Sequence, residues 1–132
     1  NYAAQYNLPG TFAPIADYQT LRKAVDVAER LGVDAKVGNL YSSDTFYDDA
    51  SGLASWQKMG VLAVEMECAA LYMNAAKAKK RALAICTVSD TLYPPFAALE
   101  AEEREKTFTD MMELALECAV EYEKLPVLEA KD

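Results

Sequence analysis

The pattern of apolar and polar positions predicts four helices separated by short strands. Apolar residues recur every three to four positions over residues 17–31, and Gly32 follows as a residue that can end a helix in the left-handed conformation. The same spacing predicts helices over residues 53–59, 68–79 and 99–124. Because a helix with this pattern buries one face, each segment is expected to pack against a core.

The same spacing predicts which residues are buried. On the first helix they are aliphatic: Leu21, Ala24, Val25, Ala28 and Leu31. On the third helix they form an alanine-rich stripe: Cys68, Leu71, Tyr72, Ala75 and Ala76. On the last helix they are mostly large: Phe108, Met111, Met112, Ala115, Ala119 and Tyr122. This assignment leaves four acidic residues mostly outside: Asp110, Glu113, Glu117 and Glu121.

Three short apolar segments between the helices predict strands. They cover residues 35–41, 61–64 and 81–88. Pro94 and Pro95 exclude a helix directly after the third strand, because proline lacks the amide hydrogen and restricts the residue before it. Helices and strands therefore alternate along the chain. This order is typical of an α/β domain, and residues 1–132 are predicted to belong to one such domain.

Composition limits the functions that this domain can have. The chain has 132 residues, of which 52% are hydrophobic, enough to form a core. Its formal net charge is −8, whereas binding to nucleic acid or to an anionic membrane requires a basic surface. We therefore expect neither partner. The three cysteines lie within apolar patterns, which suits buried thiols in a reducing compartment, and we expect the protein to be cytoplasmic.

Candidate chemistry follows two of the predicted strands. The residues at their ends are Glu65, Met66 and Glu67 after the second strand, and Ser89 and Asp90 after the third. Ligands of open α/β sheets bind beyond the carboxyl ends of the strands, so these residues are predicted to form one pocket with hydroxyl-binding carboxylates and a candidate proton donor. The sequence contains no histidine, so carboxylates must carry any acid catalysis. No spacing of metal ligands is present, and no metal is expected.

Each of these residues also has a purely structural interpretation. Glu65 and Glu67 precede a predicted helix, where a negative charge stabilises the helix amino terminus. Asp90 precedes a loop and is a typical turn residue. Arg104 lies among acidic residues of the last helix and can pair with them at the surface. Residue type alone does not decide between the two interpretations.

Several segments together resemble one enzyme family. They are VGNLYSSDTFY, VLAVEMECAALY, AICTVSD and AEEREKTFTDMMELAL, preceded by IADYQTLRKAVDVAERLG. In order and spacing they resemble the carboxyl-terminal half of the hexameric, bacterial-type purine nucleoside phosphorylases, over about residues 12–120. The resemblance implies a layered α/β/α fold with a mixed central sheet, of which this chain supplies the carboxyl-terminal part.

The resemblance also implies an activity. Members of the family cleave purine ribonucleosides and deoxyribonucleosides reversibly with phosphate, giving the free base and the sugar 1-phosphate. Phosphate is a co-substrate, and no cofactor is expected. Bond cleavage leaves electron density on the purine, so an acid must act at N7, and Asp90 matches the family's proton donor. Arg104 matches the arginine that stabilises the aspartate carboxylate after the proton has left.

The other matching residues are implied to hold the nucleoside. Glu67 matches the glutamate that accepts hydrogen bonds from the ribose 2′ and 3′ hydroxyls, and Met66 matches a residue that packs on the sugar. Phe46 matches the aromatic residue that stacks near the purine ring. Glu65 and Ser89 are implied to border the base.

Two features distinguish this chain from the family pattern. After Asp90 it carries TLYPP, where the family has a histidine and a polar loop. The family's glycine-rich phosphate turn, its arginines and the histidine lent across the dimer belong to the amino-terminal half and have no counterpart in these 132 residues. We therefore expect the chain, which begins at Asn1 with an irregular segment, to be completed by a preceding segment or a second chain.

Three functional hypotheses follow. The first is a purine nucleoside phosphorylase, a glycosyltransferase of purine salvage, that assembles as a homohexamer of three dimers. The second is a nucleosidase or uridine phosphorylase of the same superfamily, although AEER with TFTDM favours the purine enzymes. The third is a non-catalytic fragment or assembly module that keeps the fold without the phosphate site.

Overall fold

The structure is a computed structural model that describes residues 2–45, 52–93, 98 and 100–126, without the side chains of residues 2, 3 and 103–107. Helices and strands alternate along these residues. They are α1 (Tyr2–Gln5), α2 (Tyr18–Leu31), β1 (Leu40–Ser42), α3 (Leu53–Lys58), β2 (Ala63–Glu65), α4 (Cys68–Lys77) and α5 (Ala101–Glu123). Because β1 and β2 pair in parallel, the predicted α/β fold class is confirmed.

The described residues divide into two compact units. The first comprises residues 2–17, 36–45 and 52–83 and contains α1, α3, α4 and both strands. The second comprises residues 18–35, 84–93, 98 and 100–126 and contains α2 and α5.

The first unit is built around the parallel pair of β1 and β2. In this pair Ser42 lies opposite Glu65. The amide of Ser43 donates a hydrogen bond to the carbonyl of Glu65 at 2.9 Å, so the ladder extends one residue beyond β1. Tyr41 stacks on Trp56 of α3, with ring centroids 5.1 Å apart. The carboxyl ends of both strands therefore lie together, close to the start of α4.

Two glycines end helices, and one of them, Gly32, was predicted to do so from the sequence. Gly32 follows α2 with a φ of 70°, and Gly60 follows α3 with a φ of 81°. Both values fall in the left-handed region, which a glycine adopts without the steric penalty of a Cβ atom. The amide of Gly60 donates to the carbonyl of Gln57 at 2.9 Å, which satisfies one of the last carbonyls of α3.

In the second unit, α2 packs against α5. The buried apolar residues of the two helices are Ala24, Val27, Ala28, Leu114 and Cys118. Two ion pairs cross from α2 to α5: the Lys23 Nζ atom lies 3.7 Å from a Glu121 oxygen, and the Arg30 guanidinium lies 2.8 Å from Glu117. The earlier residue of α2 pairs with the later residue of α5, so the helices run antiparallel. These side chains are partly exposed, so the pairs contribute little stability.

The predicted core face of the last helix is wrong. Leu114 and Cys118 are buried, whereas Phe108 and Met112 are 41% and 52% exposed. Glu117 and Glu121, predicted to lie mostly outside, pair with α2. The reason is the composition of α5, which carries apolar residues on more than one side, including Leu116 and Val120.

The other helices agree better with the predicted faces. Ala24 and Ala28 of α2 are buried as predicted, and Val27 joins them at 2% exposure. On α4, Cys68 is buried as predicted, but Met73 takes the place expected for Leu71, which is 44% exposed. Helical periodicity thus located part of the buried side of α2 and of α4.

The predicted third strand does not form. Residues 81–89 are described and contain no strand, and Asp90 makes an isolated antiparallel bridge with Ala98. The boundary between the two units falls inside this segment, between Leu83 and Ala84. A strand needs a neighbouring strand for its backbone hydrogen bonds, and an apolar run alone does not supply one. Cys86 of the same segment is exposed, contrary to the expectation that all three cysteines are buried.

We predict that Leu114→Ala lowers the free energy of unfolding by about 2 to 5 kcal/mol, because it leaves a cavity between α2 and α5. The matched control is Leu116→Ala on the same helix, where the side chain is 69% exposed, against 4% for Leu114. Urea denaturation followed by circular dichroism measures both variants. Equal losses would contradict this assignment of the buried face.

Candidate functional site

The turn between β2 and α4 carries the first group of predicted site residues. Strand β2 ends at Glu65, Met66 and Glu67 follow, and α4 begins at Cys68. Glu67 occupies the N-cap position, with φ −122° and ψ −25°. The turn is therefore two residues long, and it places both side chains at the carboxyl end of the sheet.

Glu65 binds the first amides of α4. Its Oε2 atom accepts hydrogen bonds from the backbone N–H groups of Glu67 and Cys68, at 2.7 and 2.6 Å. The hydroxyl of Ser42 donates to the Oε1 atom of Glu65, and the Ser42 Oγ atom accepts from the amide of Ala69 at 2.9 Å. Amides in the first turn of a helix have no partner within the helix, and Ser42 and Glu65 together satisfy those of Cys68 and Ala69.

These contacts set the charge state of Glu65. Burial alone raises the pKa of its carboxyl group, but hydrogen bonds from Cys68, Ser42 and the amide of Glu67 outweigh that effect, and the pKa is lowered. Glu65 is therefore an ionised group whose two oxygens both face donors of its own chain. This geometry matches the structural interpretation, in which a carboxylate stabilises the amino terminus of a helix.

Met66 and Glu67 are the residues of the turn that face outward. Met66 is 39% exposed, and Glu67 is exposed as well. The Glu67 side chain makes no capping hydrogen bond to α4, although it stands at the N-cap. Because Ser42 and Glu65 already bind the helix amides, the Glu67 carboxylate is available to accept hydrogen bonds from a ligand.

Ser89 and Asp90 form the second group, in the other unit. The Ser89 hydroxyl donates to the Oδ2 atom of Asp90 at 2.6 Å. Asp90 is exposed, and its backbone pairs with that of Ala98. The second group is thus a carboxyl group that is exposed and in contact with the hydroxyl of the preceding residue.

The predicted site residues are thus divided between the two units. Glu65, Met66 and Glu67 belong to the first unit, and Ser89 and Asp90 belong to the second. The structure brings Ser89 to Asp90, and it brings Glu65 to Ser42, a residue that the sequence analysis did not single out. That the five residues share one pocket remains a prediction.

For two predicted site residues, the side chain is not among those that the structure describes. Phe46 is outside the described residues, as are Pro94 and Pro95. Arg104 belongs to α5, but its side chain is outside the described part of the chain. The roles implied for Phe46 and Arg104 therefore remain predictions.

A groove of about 520 Å³ lies elsewhere in the first unit, beside α1 and α4. Tyr6 is one of the residues that line it. The Tyr6 hydroxyl donates to the Asn74 Oδ1 atom at 2.9 Å, and the Lys77 ammonium lies 4.9 Å from the Tyr6 ring centre. None of the predicted site residues lines this groove. Within the described residues no cluster of three potential metal ligands occurs, and none of the helices there is long and apolar enough to cross a membrane.

Comparison with known proteins identifies the family. The family model described as Phosphorylase superfamily matches residues 1–122. The chain belongs to this superfamily. The match covers the β2–α4 turn and both carboxylates, Glu67 and Asp90, so the resemblance noted from the sequence motifs is confirmed.

Several relatives of this chain are named purine nucleoside phosphorylases. A DeoD-type purine nucleoside phosphorylase from Caldanaerobacter subterraneus is 52% identical over 109 residues, which are 82% of this chain and 47% of the relative. The enzyme of the same name from Clostridium beijerinckii is 50% identical over 114 residues, 86% of this chain and 48% of the relative. The enzyme of the same name from Geobacillus kaustophilus is 48% identical over 109 residues, which are 83% of this chain and 46% of the relative. The chain spans about half the length of the curated relatives it matches.

Proposed function

We propose that this member of the phosphorylase superfamily acts as a purine nucleoside phosphorylase, which cleaves a purine nucleoside with phosphate to the free base and a pentose 1-phosphate. The observation that carries the proposal is the exposed Glu67 carboxylate. It makes no capping hydrogen bond to α4, whereas Glu65 and Ser42 bind the amides of Cys68 and Ala69. The chain that carries Glu67 shares 50 to 52% sequence identity with purine nucleoside phosphorylases over the aligned residues.

In the proposed reaction, Glu67 holds the sugar. Its two carboxylate oxygens accept hydrogen bonds from the ribose 2′ and 3′ hydroxyls, and the half-exposed Met66 packs on the apolar face of the ring. A sugar fixed in this way presents its anomeric carbon to phosphate while the glycosidic bond breaks. Phosphate attacks that carbon, the carbon–nitrogen bond breaks, and its electron pair moves to the purine.

Asp90 is proposed to neutralise the purine. Its protonated carboxyl group donates to N7 as the base leaves, and the resulting carboxylate then pairs with Arg104. Ser89, which is bonded to Asp90, orients the carboxyl group. Phe46 is proposed to stack near the purine ring, and Glu65 to border the base through the turn that it holds.

The assembly and location are also proposals. We propose a homohexamer built of three dimers in the cytoplasm, with phosphate bound by residues outside these 132. The cysteines Cys68, Cys86 and Cys118 form no disulfide in the described part of the chain, which is compatible with the proposed reducing compartment. Sedimentation equilibrium measures the proposed assembly directly.

The test of the function is an assay on the protein as it is encoded, including any residues beyond these 132. Inosine and phosphate should give hypoxanthine and ribose 1-phosphate in equal amounts, and omission of phosphate should stop the reaction. Release of free ribose without phosphate would instead indicate a nucleosidase, and preference for uridine would indicate a uridine phosphorylase. Absence of any cleavage would support a non-catalytic module.

A further inference from the structure

The Ser42 hydroxyl is bonded in two directions at the end of the sheet. It donates to the Glu65 Oε1 atom and accepts from the amide of Ala69 at 2.9 Å. Ser42 and Glu65 are opposite each other in the parallel ladder, so the hydroxyl reaches the carboxylate directly across the two strands. One side chain of β1 is thereby attached both to the last residue of β2 and to the first turn of α4.

Hydrogen bonds on both sides hold the turn that carries Glu67. The Oε2 atom of Glu65 holds the amides of Glu67 and Cys68 at 2.7 and 2.6 Å. The backbone of the turn is therefore fixed at Glu65 before it and at the first residues of α4 after it. Rotation of the Glu65 carboxylate would disturb both amide contacts at once, and the bond from Ser42 opposes that rotation.

We propose that Ser42 is a positioning residue that, through Glu65 and the first turn of α4, holds the Met66–Glu67 turn in the geometry that binds the ribose hydroxyls. The proposal rests on the proposed function, because that function assigns Glu67 to the ribose. Ser42 has no contact with substrate in this account. Its effect is transmitted by hydrogen bonds that the structure contains.

A second consequence of the Ser42 hydroxyl concerns competition for the helix amides. The side chain at an N-cap accepts a hydrogen bond from the second or third amide of the helix when that amide is available. In α4 the second amide belongs to Ala69, and Ser42 occupies it. Without that hydroxyl, the Ala69 amide becomes an additional donor toward which the Glu67 carboxylate can turn, away from a ligand.

The experiment compares Ser42→Val with Ser42→Thr, two substitutions of the same shape that differ only in the hydroxyl group. Ser42→Thr should keep kcat/KM for inosine within about twofold of wild type, whereas Ser42→Val should lower it about 5- to 20-fold. Binding of free hypoxanthine should change less than kcat/KM for inosine in the valine variant, because the base does not contact Glu67. Ser55→Ala, at an exposed position of α3, controls for loss of a serine hydroxyl in the same unit.

A double-mutant cycle separates positioning from general destabilisation. If Ser42 acts through Glu67, Ser42→Val should cost less than about twofold in a Glu67→Ala background. The same loss in both backgrounds would overturn the proposal, as would equal activity of the threonine and valine variants. Failure of the wild-type protein to cleave inosine would instead overturn the proposed function.

If Ser42→Val does not fold, amide hydrogen exchange of the wild-type protein tests the proposal instead. The amides of Cys68 and Ala69 lie in the first turn of α4, where amides without partners exchange rapidly with solvent. Hydrogen exchange followed by NMR should show both of them slowed at least about tenfold relative to unprotected amides. Exchange of Ala69 at the unprotected rate would overturn the role of Ser42, whether or not the enzyme is active.

Discussion

Asp90→Asn is expected to remove most of the turnover of inosine and adenosine while leaving nucleoside binding nearly unchanged. The amide has the size of the acid but no proton to transfer to N7, so the leaving purine is not neutralised. Loss of a general acid lowers the rate by about 10²- to 10⁴-fold. Steady-state kinetics of the encoded protein with saturating phosphate measure kcat, and equilibrium binding of the nucleoside measures affinity.

The choice of substrate provides the internal control for Asp90. A nucleoside methylated at N7 carries a base that leaves without protonation, so Asp90→Asn should reduce its cleavage far less than that of inosine. Asp110→Asn, at an exposed position of α5, is the matched control for loss of an aspartate charge and should behave as wild type. Inosine cleavage within twofold of wild type in Asp90→Asn would show that another group supplies the proton.

Glu67→Ala should weaken the hold on the sugar. Removal of a charged acceptor for two hydroxyls is expected to lose about 2 to 4 kcal/mol of transition-state stabilisation, or roughly 30- to 1000-fold in kcat/KM for inosine. A free purine base should bind nearly as it does to the wild type. The measurements are the kinetics of phosphorolysis and the dissociation constant of hypoxanthine.

The structure supplies two controls for Glu67. Glu67→Gln keeps the shape and one acceptor oxygen, so its loss should lie between those of wild type and Glu67→Ala. The Glu67 side chain makes no capping bond to α4, so neither variant should change the thermal midpoint appreciably. Equal losses for base and nucleoside, or a lowered midpoint, would mean that Glu67 stabilises the fold instead of binding the sugar.

The sequence was informative where local pattern determines structure. The helix over Cys68–Lys77 and the strand before it follow from an apolar run, two glutamates and an alanine-rich stretch. Gly32 and Gly60 end their helices because the conformation required there is costly for other residues. The group of Glu65, Met66 and Glu67 at the end of β2 could be placed for the same reason, since strand and helix boundaries fix the turn between them.

Features that depend on distant partners could not be predicted. The buried face of α5 is chosen by its contact with α2, and a helix that is apolar on several sides gives no signal of that choice. The apolar segment over residues 81–88 has the composition of a strand but no ladder in the described chain. The contact of Ser42 with Glu65 depends on the register of the two strands. A single sequence does not reveal which residues of two strands are paired, so this contact could not be predicted.

The Ser42–Glu65 contact also makes the support of the Glu67 turn depend on correct strand pairing. The two residues are separated by 23 positions, so the amides of α4 acquire these partners only after β1 and β2 have found each other. A slip of one residue in a strand turns every side chain to the opposite face of the sheet. A molecule with β1 shifted by one position would direct the Ser42 hydroxyl away from Glu65 and would leave the Glu67 turn without its support. Under the proposed function, chains that pair incorrectly should therefore fail to retain a nucleoside even when their helices are intact.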